Sequence, residues 1–350
     1  MDLSALPHPI VQAPLAGGPS TPELAIAVSD AGGLGFLAAG YRTPGDLDAD
    51  IAAVRAGTGA PFGVNLFVPS PGEPDRAAVE AYAARLRAES DRTCVALGVP
   101  ANDDDRWDEK LAVVVARRVP VVSFTFGLPS QEVIARLRDA GTSVLVTVTA
   151  PEEAAAAYQA RADGLIAQGI EAGGHRGGFR DDAGDFGLLV LLRLVLRATP
   201  LPVVAAGGIA DGEGVAAVLA AGAVAAQLGT AFLRTPEAGT SPAHRAALGA
   251  YDRTDLTRAF TGRRARGLAN RFLREHSAEA PAAYPHVHRL TAPLRAAARR
   301  TGDADMLNLW AGQAYTLAED VPAADLVRRL SADASQALTR ATRRLAPGNP

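Results

Sequence analysis

Residues 168–178 read Gln-Gly-Ile-Glu-Ala-Gly-Gly-His-Arg-Gly-Gly, and they join two segments of contrasting pattern. The apolar run before them, residues 164–167, is typical of a buried parallel strand, and a helical pattern starts near Asp185. The stretch is therefore a strand-to-helix loop, where α/β folds place their chemistry. Its glycines let a ligand approach the backbone closely, and His175, with an ordinary pKa of about 6.5, suits proton transfer or anion binding.

On both sides of this loop, short apolar runs recur along the chain and alternate with helical patterns such as residues 22–31, 130–140 and 151–161. Alternating strands and helices predict a parallel sheet, and eight strands in this length predict an α/β fold of the (β/α)8 TIM-barrel type. The competing interpretation is an open doubly wound sheet, which is disfavoured because no GxGxxG follows the first strand. The predicted strands are residues 10–14, 34–38, 62–67, 120–124, 144–148, 164–168, 202–206 and 223–227.

The pattern changes near residue 236, where strands give way to arginine-rich and alanine-rich helical segments. We therefore expect residues 1–236 to form the barrel, with a proline-rich and acidic insertion at about 69–105. Residues 237–304 are expected to form a helical cap over the barrel mouth. Residues 305–350 are expected to form C-terminal helices. One arrangement open to the last of these helices is to pack back against the barrel wall.

Composition narrows the classes of function. The 350 residues carry a formal net charge of −3, which gives no indication of nucleic-acid or membrane binding. The single cysteine, Cys94, excludes a disulfide framework within the chain. No signal peptide or membrane-spanning run is recognisable, so a cytoplasmic protein is expected. The sequence leaves the oligomeric state open.

The seventh and eighth predicted strands both end in glycine-rich loops. Gly207 and Gly208 follow the seventh strand, and the eighth ends in Gln227, Leu228, Gly229 and Thr230. In (β/α)8 enzymes these two loops often bind phosphate through backbone N–H groups and a helix N-terminus. Glycines that simply make tight turns are the alternative for either loop alone. Together with the histidine loop one strand earlier, they favour a cofactor that carries phosphate.

Polar and small residues at other strand ends extend the candidate site. Ala13, Pro14 and Leu15 follow the first strand and leave room for a flat ring, although an ordinary loop would look the same. Asn65 lies inside the third strand, where its amide needs a partner, either a cofactor edge or a neighbouring backbone group.

Several other residues have two interpretations each. Arg176 binds an anion or is a surface arginine, and Glu171 is a general base or a helix cap. His286 and His288 form a metal site or belong to a solvated loop, and the solvated loop is favoured because no histidine pair shows convincing ligand spacing with carboxylates.

At these residues the chain resembles the nitronate monooxygenase (2-nitropropane dioxygenase) family, most closely its class I type. The resemblance runs nearly end to end, and Leu15 stands where the family usually has methionine, a change that conserves volume. The matching motifs are residues 12–18 (Gln-Ala-Pro-Leu-Ala-Gly-Gly), 30–35 (Asp-Ala-Gly-Gly-Leu-Gly), 122–127 (Val-Ser-Phe-Thr-Phe-Gly), 168–177, 265–272 (Ala-Arg-Gly-Leu-Ala-Asn-Arg-Phe) and 310–313 (Trp-Ala-Gly-Gln).

The resemblance implies a TIM barrel that binds FMN at its mouth and oxidises alkyl nitronates, or nitroalkanes, with O2 to a carbonyl compound and nitrite. His175 would be the active-site histidine, acting either as a base or as an anion-binding group, and no metal is required. The residues that it implies for FMN contact are Asn65, Gln168, Gly173, Gly208, Gln227, Leu228, Gly229 and Thr230.

Two other interpretations remain. The first is a reductase: FMN-dependent enoyl-acyl-carrier-protein reductases have a similar barrel and histidine loop, and an NAD(P)H:quinone reductase on this scaffold is a related possibility. A flavin-binding protein without turnover is the alternative from another class. Oxidation of NAD(P)H would identify a reductase, and a protein that takes up no flavin would favour a role without catalysis.

Overall fold

The computed structural model describes residues 1–69 and 72–345, and a parallel barrel dominates it. Eight parallel strands pair in the order β1-β9-β8-β6-β5-β4-β3-β2, and a bridge between Val11 and Leu34 joins the first and last of these. The prediction of a (β/α)8 barrel is confirmed. The barrel strands are β1 (Ile10–Gln12), β2 (Gly35–Ala38), β3 (Phe62–Phe67), β4 (Val121–Thr125), β5 (Ser143–Val148), β6 (Gly164–Gln168), β8 (Val203–Ala206) and β9 (Ala225–Leu228).

Helices surround the barrel and continue beyond it. Those up to the last barrel strand are α1 (Pro22–Asp30), α2 (Pro44–Gly57), α3 (Arg76–Arg85), α4 (Arg87–Thr93), α5 (Trp107–Ala116), α6 (Gln131–Asp139), α7 (Pro151–Gln159), α8 (Leu188–Ala198) and α9 (Gly212–Ala220). The later ones are α10 (Pro242–Ala247), α11 (Arg271–His276), α12 (His286–Thr301) and α13 (Ala323–Leu345).

Capping chemistry sets the ends of these helices. The Thr21 hydroxyl accepts a hydrogen bond from Leu24 N at 3.1 Å, and Pro22 starts α1. After α1, Gly32 adopts a φ of +91°, a conformation that favours glycine. Such caps explain why the glycine and threonine positions mark helix boundaries in the sequence.

A second, three-stranded sheet lies above the barrel. It consists of β10 (Thr254–Thr257), β11 (Ala265–Leu268) and the short β7 (Gly174–His175), all antiparallel. The expectation that strands are absent after residue 236 is therefore wrong. In β7–β11 pairing His175 lies opposite Ala265, so this sheet holds the histidine loop from above.

The remaining segments pack around these two sheets. Within the predicted insertion, α3 and α4 contact α12. The long C-terminal helix α13 packs against α9 and α1 on the barrel wall. None of the described helices has the length and apolar character needed to cross a bilayer.

The barrel interior is filled by side chains that fix the shape of its mouth. Phe36, Val121, Leu145 and Ile166 meet in this core. A Cβ at Gly63 would lie only 2.2 Å from Cε1 of Phe36, so glycine is required beside that ring. Because the interior is packed solid, a ligand can enter only beyond the carboxyl ends of the strands.

Candidate active site

A cavity of about 420 Å³ lies at the carboxyl ends of the barrel strands, beneath the three-stranded sheet. It brings together nearly all of the residues that the sequence proposed for the site. Leu228 is the exception, because its side chain is fully buried in the core. The predicted residues that line the cavity are Ala13, Pro14, Leu15, Asn65, Gln168, Gly173, His175, Gly207, Gly208, Gln227, Gly229 and Thr230.

The loops after β8 and β9 form one side of this cavity. Gly207 and Gly208 have φ values of +116° and +68°, which turn the backbone in a way that side chains resist. Among the described residues, no acceptor is found for the N–H groups of Gly208 and Gly229. Gln227 contributes a buried Oε1 that likewise has no hydrogen-bond partner within the part of the chain that the structure describes. Backbone and side-chain polar groups are thus left over at the place where a ligand would sit.

The loop after β1 is shaped by a residue that sequence reasoning did not single out. Oε1 of Gln12 accepts from Phe36 N at 2.8 Å, and its Nε2 donates to Ser20 Oγ at 3.1 Å. Ser20 Oγ in turn accepts from Leu15 N at 2.8 Å. These bonds hold the small residues Ala13 and Pro14 against the cavity.

Two predicted amides have partners inside the protein. Nδ2 of Asn65 donates to Ser123 O at 3.2 Å and to Ser123 Oγ at 3.0 Å. Nε2 of Gln168 donates to His175 O at 3.0 Å, and its Oε1 accepts from Gly177 N at 2.8 Å. Gln168 therefore stabilises the histidine loop through two hydrogen bonds, one to each side of Arg176, and it also lines the cavity.

The C-terminal motif beginning at Trp310 packs directly on the histidine loop. A Cβ at Gly173 would lie 2.5 Å from Gly312 N, so the close approach of the two segments requires glycine. Gly312 N also donates to Thr230 Oγ1 at 2.9 Å, and Gln313 N donates to Glu171 O at 3.0 Å. The motif thereby joins the loops after β6 and β9.

His175 lines the cavity from the short strand β7. Its Nε2 is 2.9 Å from Thr261 Oγ1, and its ring meets Phe126 and Trp310 edge-on at centroid distances of 5.5 and 5.4 Å. Burial, with the charges of Arg263 and Arg295, lowers the pKa of His175 to about 3. The imidazole is therefore neutral at pH 7.

Arg176 and Glu171, the charged residues near His175 in the sequence, form hydrogen bonds within the protein. Nη1 of Arg176 donates to Gln168 O at 3.1 Å and to Gly169 O at 2.8 Å, and the residue is 3% exposed. Arg176 is therefore neither a surface residue nor part of the cavity wall. Both carboxylate oxygens of Glu171 accept from Leu188 N, at 3.0 and 3.1 Å, which is the helix-capping alternative.

Arg295 is a site residue that sequence reasoning missed. Its Nε donates to Thr291 Oγ1 at 3.1 Å, and its Nη2 donates to His288 O at 2.9 Å and to His288 Nδ1 at 3.2 Å. No carboxylate pairs with it among residues 1–69 and 72–345, although it is only 8% exposed and lines the cavity. A buried guanidinium without an anionic partner favours binding of an anion.

The expectation of a solvated loop at residues 286–288 is wrong, because His286 starts α12. His288 lines the cavity, and burial together with Arg295 lowers its pKa to about 2. A separate group with metal-ligand spacing is formed by Glu89, Glu275 and His276. Arg271 already donates to both carboxylate oxygens of Glu89, at 2.6 and 2.9 Å, so this group is an ion-pair network.

The chain is similar in sequence to curated enzymes and in structure to solved ones. The chain is 41% identical over 351 residues to a nitronate monooxygenase of Paraburkholderia phytofirmans, which covers 97% of this chain and 95% of that protein. A solved nitroalkane oxidase of Streptomyces ansochromogenes superposes with a TM-score of 0.94 at 55% identity, and covers 97% of this chain and 99% of that one. The structure of FabK from Thermotoga maritima has a TM-score of 0.79 at 29% identity, with 98% of both chains covered.

The sequence model of the nitronate monooxygenase family matches residues 2–333, which is most of the chain. The two solved neighbours share the barrel fold that the structure shows. The chain therefore belongs to the nitronate monooxygenase family of flavin-dependent oxidoreductases.

Proposed function

We propose that this protein oxidises alkyl nitronates, and the nitroalkanes from which they derive, with O2 to a carbonyl compound and nitrite, and that its flavin is FMN. The observation that carries the proposal is a neutral histidine, His175, that lines the same cavity as the glycine loops after β8 and β9. The family membership supplies the reaction class. The cavity supplies the groups that such a reaction needs.

The residues present fit FMN. The unpaired N–H groups of Gly208 and Gly229 suit its phosphate, and the hydroxyl of Thr230 is beside them. The orphaned Oε1 of Gln227 can accept a hydrogen bond from the cofactor. The small residues Ala13 and Pro14 leave space for a flat ring over the barrel mouth. Electron transfer from the substrate to O2 is the chemistry that a bound flavin supplies.

His175 is suited to take the α-proton of a nitroalkane. A base must be unprotonated before it reacts, and burial keeps this imidazole neutral. The alternative role, an imidazolium that holds the nitronate anion, would need a pKa near or above neutrality. The lowered pKa of His175 leaves the ring unprotonated at rest, which is the starting state of a base and not that of an anion-binding imidazolium.

The positive charge that an anionic substrate needs is present elsewhere in the same cavity. Arg295 lines it without a carboxylate partner among the described residues. A nitronate carries its negative charge on two oxygens, and Nη1 of Arg295, which has no hydrogen-bond partner among the described residues, can donate a charge-assisted bond to them. We therefore assign proton acceptance to His175 and anion binding to Arg295.

The aromatic residues around the histidine limit access of water. Phe126, Tyr284 and Trp310 all meet the His175 ring at angles between 60° and 82°, with centroid distances of 5.4 to 6.0 Å. An apolar enclosure strengthens the electrostatic interactions inside it and, by excluding water, prevents hydrolysis of reactive intermediates.

The test is product analysis with flavin-loaded protein and no NADH. Ethyl nitronate should give acetaldehyde and nitrite in equal amounts, and the extracted flavin should run as FMN. His175→Ala should retain FMN and lower turnover of nitroethane by about 100-fold. Turnover that requires NADH would instead support a reductase, and a protein that takes up no flavin would contradict the proposal.

A further inference from the structure

The Thr261 hydroxyl is the sole protein group that hydrogen-bonds to the His175 ring among the described residues. Its Oγ1 lies 2.9 Å from Nε2 of His175, and it also donates to Arg263 O at 3.2 Å. The backbone N–H of Arg263 approaches the same oxygen at 3.4 Å. Thr261 is 1% exposed, so water does not compete for these bonds.

The direction of the bond to the histidine depends on where the single hydroxyl proton of Thr261 goes. A carbonyl oxygen such as that of Arg263 can only accept, and it lies within reach of Thr261 Oγ1 at 3.2 Å. When the proton is directed to Arg263 O, Thr261 Oγ1 presents a lone pair to Nε2. Nε2 then carries the hydrogen, and since the ring is neutral, Nδ1 carries the lone pair.

The fold fixes this arrangement on both sides. On one side, His175 pairs with Ala265 in the β7–β11 ladder, and Arg176 N donates to Arg264 O at 2.8 Å. On the other side, Nε of Arg263 donates to Arg176 O at 3.0 Å. These bonds tie the turn that contains Thr261 to the strand that contains the histidine.

We propose that Thr261 is a positioning residue that fixes His175 as the Nε2–H tautomer, so that Nδ1 accepts the α-proton of a nitroalkane. This inference rests on the proposed function. In the step, the Cα–H bond breaks, its electron pair remains on the substrate as the nitronate, and the proton moves to Nδ1. The resulting imidazolium keeps its Nε2–H bond to Thr261.

Two variants and two substrates test the role. Thr261→Val has nearly the same shape but accepts no hydrogen bond, whereas Thr261→Ser keeps the hydroxyl. With flavin-loaded protein, Thr261→Val should lower kcat/KM for nitroethane by at least about 10-fold. It should change kcat/KM for ethyl nitronate, which has already lost the proton, by less than about 3-fold. Thr261→Ser should stay close to the parent on both.

The tautomer can be read directly in the unmutated holoprotein, which covers the case in which Thr261→Val does not fold. Nitrogen-15 NMR of histidine-labelled protein, with His175→Ala to identify the signal, should show a protonated Nε2 and an unprotonated Nδ1. A protonated Nδ1, or equal losses on both substrates in Thr261→Val, would overturn the inference.

The outcome separates this inference from the function on which it rests. Protein that oxidises neither substrate contradicts the proposed function, whatever the tautomer. Protein that oxidises ethyl nitronate but not nitroethane leaves nitronate oxidation standing and contradicts proton transfer to Nδ1.

Discussion

The rings of Tyr41 and His288 stack face to face, with centroids 4.4 Å apart and planes 4° from parallel. Tyr41 comes from the loop after β2 and His288 from α12, and both line the cavity. Tyr41 has a φ of +67° and its N–H donates to Asp105 Oδ1 at 3.0 Å, so the loop is held in a conformation that non-glycine residues rarely adopt. The stack therefore closes the cavity between the barrel and the segment above it.

Tyr41→Ala should widen this side of the cavity. We expect the ratio of kcat/KM for a bulky secondary nitronate to that for ethyl nitronate to rise by about 10-fold, because the pocket loses a ring. Tyr41→Phe, which keeps the stack, is the matched control and should leave the ratio unchanged. An unchanged ratio in Tyr41→Ala would show that the stack does not limit substrate size.

Arg295→Met should weaken use of anionic substrate selectively. We expect kcat/KM for ethyl nitronate to fall by about 10- to 100-fold, more than that for neutral nitroethane, because a charge-assisted contact is lost. Arg295→Lys should recover part of the loss. Steady-state kinetics of the two substrates side by side measure this, and equal losses on both would contradict anion binding by Arg295.

The same variant should shift the pH dependence. Arg295 is one of the charges that hold the pKa of His175 at about 3, after burial itself. Removing that charge raises the pKa, so the acidic limb of kcat/KM for nitroethane should move to higher pH. The limb should stay in place in Arg289→Met, because Arg289 is exposed on the same helix and does not line the cavity.

Gly208→Val should prevent flavin binding. At a φ of +68° the added Cβ would lie 3.0 Å from Glu171 Cβ, and the branched side chain would displace the backbone from a phosphate. Gly302→Val is the matched control, since Gly302 has a φ of +73° and no atom within 4 Å of the added Cβ. Flavin absorbance per protein should fall in the first variant only. Full occupancy in Gly208→Val would refute this placement of the phosphate.

The barrel was predictable because each of its strands is marked by a pattern in its own short stretch of sequence. Each predicted barrel strand overlaps an observed one, since buried parallel strands are continuous apolar runs between turn signals. The three-stranded sheet was missed because Gly174–His175 has two residues, and Ala265–Leu268 places an arginine and a glycine in a four-residue strand. Their pairing depends on contacts that are distant in sequence.

The site divides in the same way. His175 and the glycines after β8 and β9 were recognisable because their loops follow predicted strands. Thr261 and Arg295 were not recognisable, because nothing in their local sequence marks them as site residues. Thr261 contacts His175 across a separation of 86 residues in the chain, and Arg295 reaches the cavity only in the folded structure. Arg176 shows the opposite case. Its position next to His175 in the sequence suggested a residue of the site, but in the structure its guanidinium donates to the backbone carbonyls of Gln168 and Gly169 and stabilises the loop.

Glu89 should govern part of the stability in acid. Burial raises its pKa, but hydrogen bonds from Arg271, Arg92 and His276 outweigh this and hold the pKa at about 2, against 4.5 for a free glutamate. Because the folded pKa is depressed, its stabilisation is complete above about pH 4.5 and is lost as the pH falls towards 2.

Urea unfolding of the parent and of Glu89→Gln checks this expectation. The difference in unfolding free energy between them should be largest at neutral pH and shrink below pH 4.5. Glu73→Gln, at an ion pair whose glutamate side chain is 69% exposed, should differ little from the parent throughout. A constant difference for Glu89→Gln would contradict the role of its charge.

Oxygen uptake by the FMN-loaded protein, measured once with ethyl nitronate and no NADH and once with NADH alone, distinguishes nitronate oxidation from NADH oxidation. We expect rapid uptake with nitrite release in the first measurement and none in the second. Uptake only with NADH would contradict nitronate oxidation and assign the cavity to a reductase.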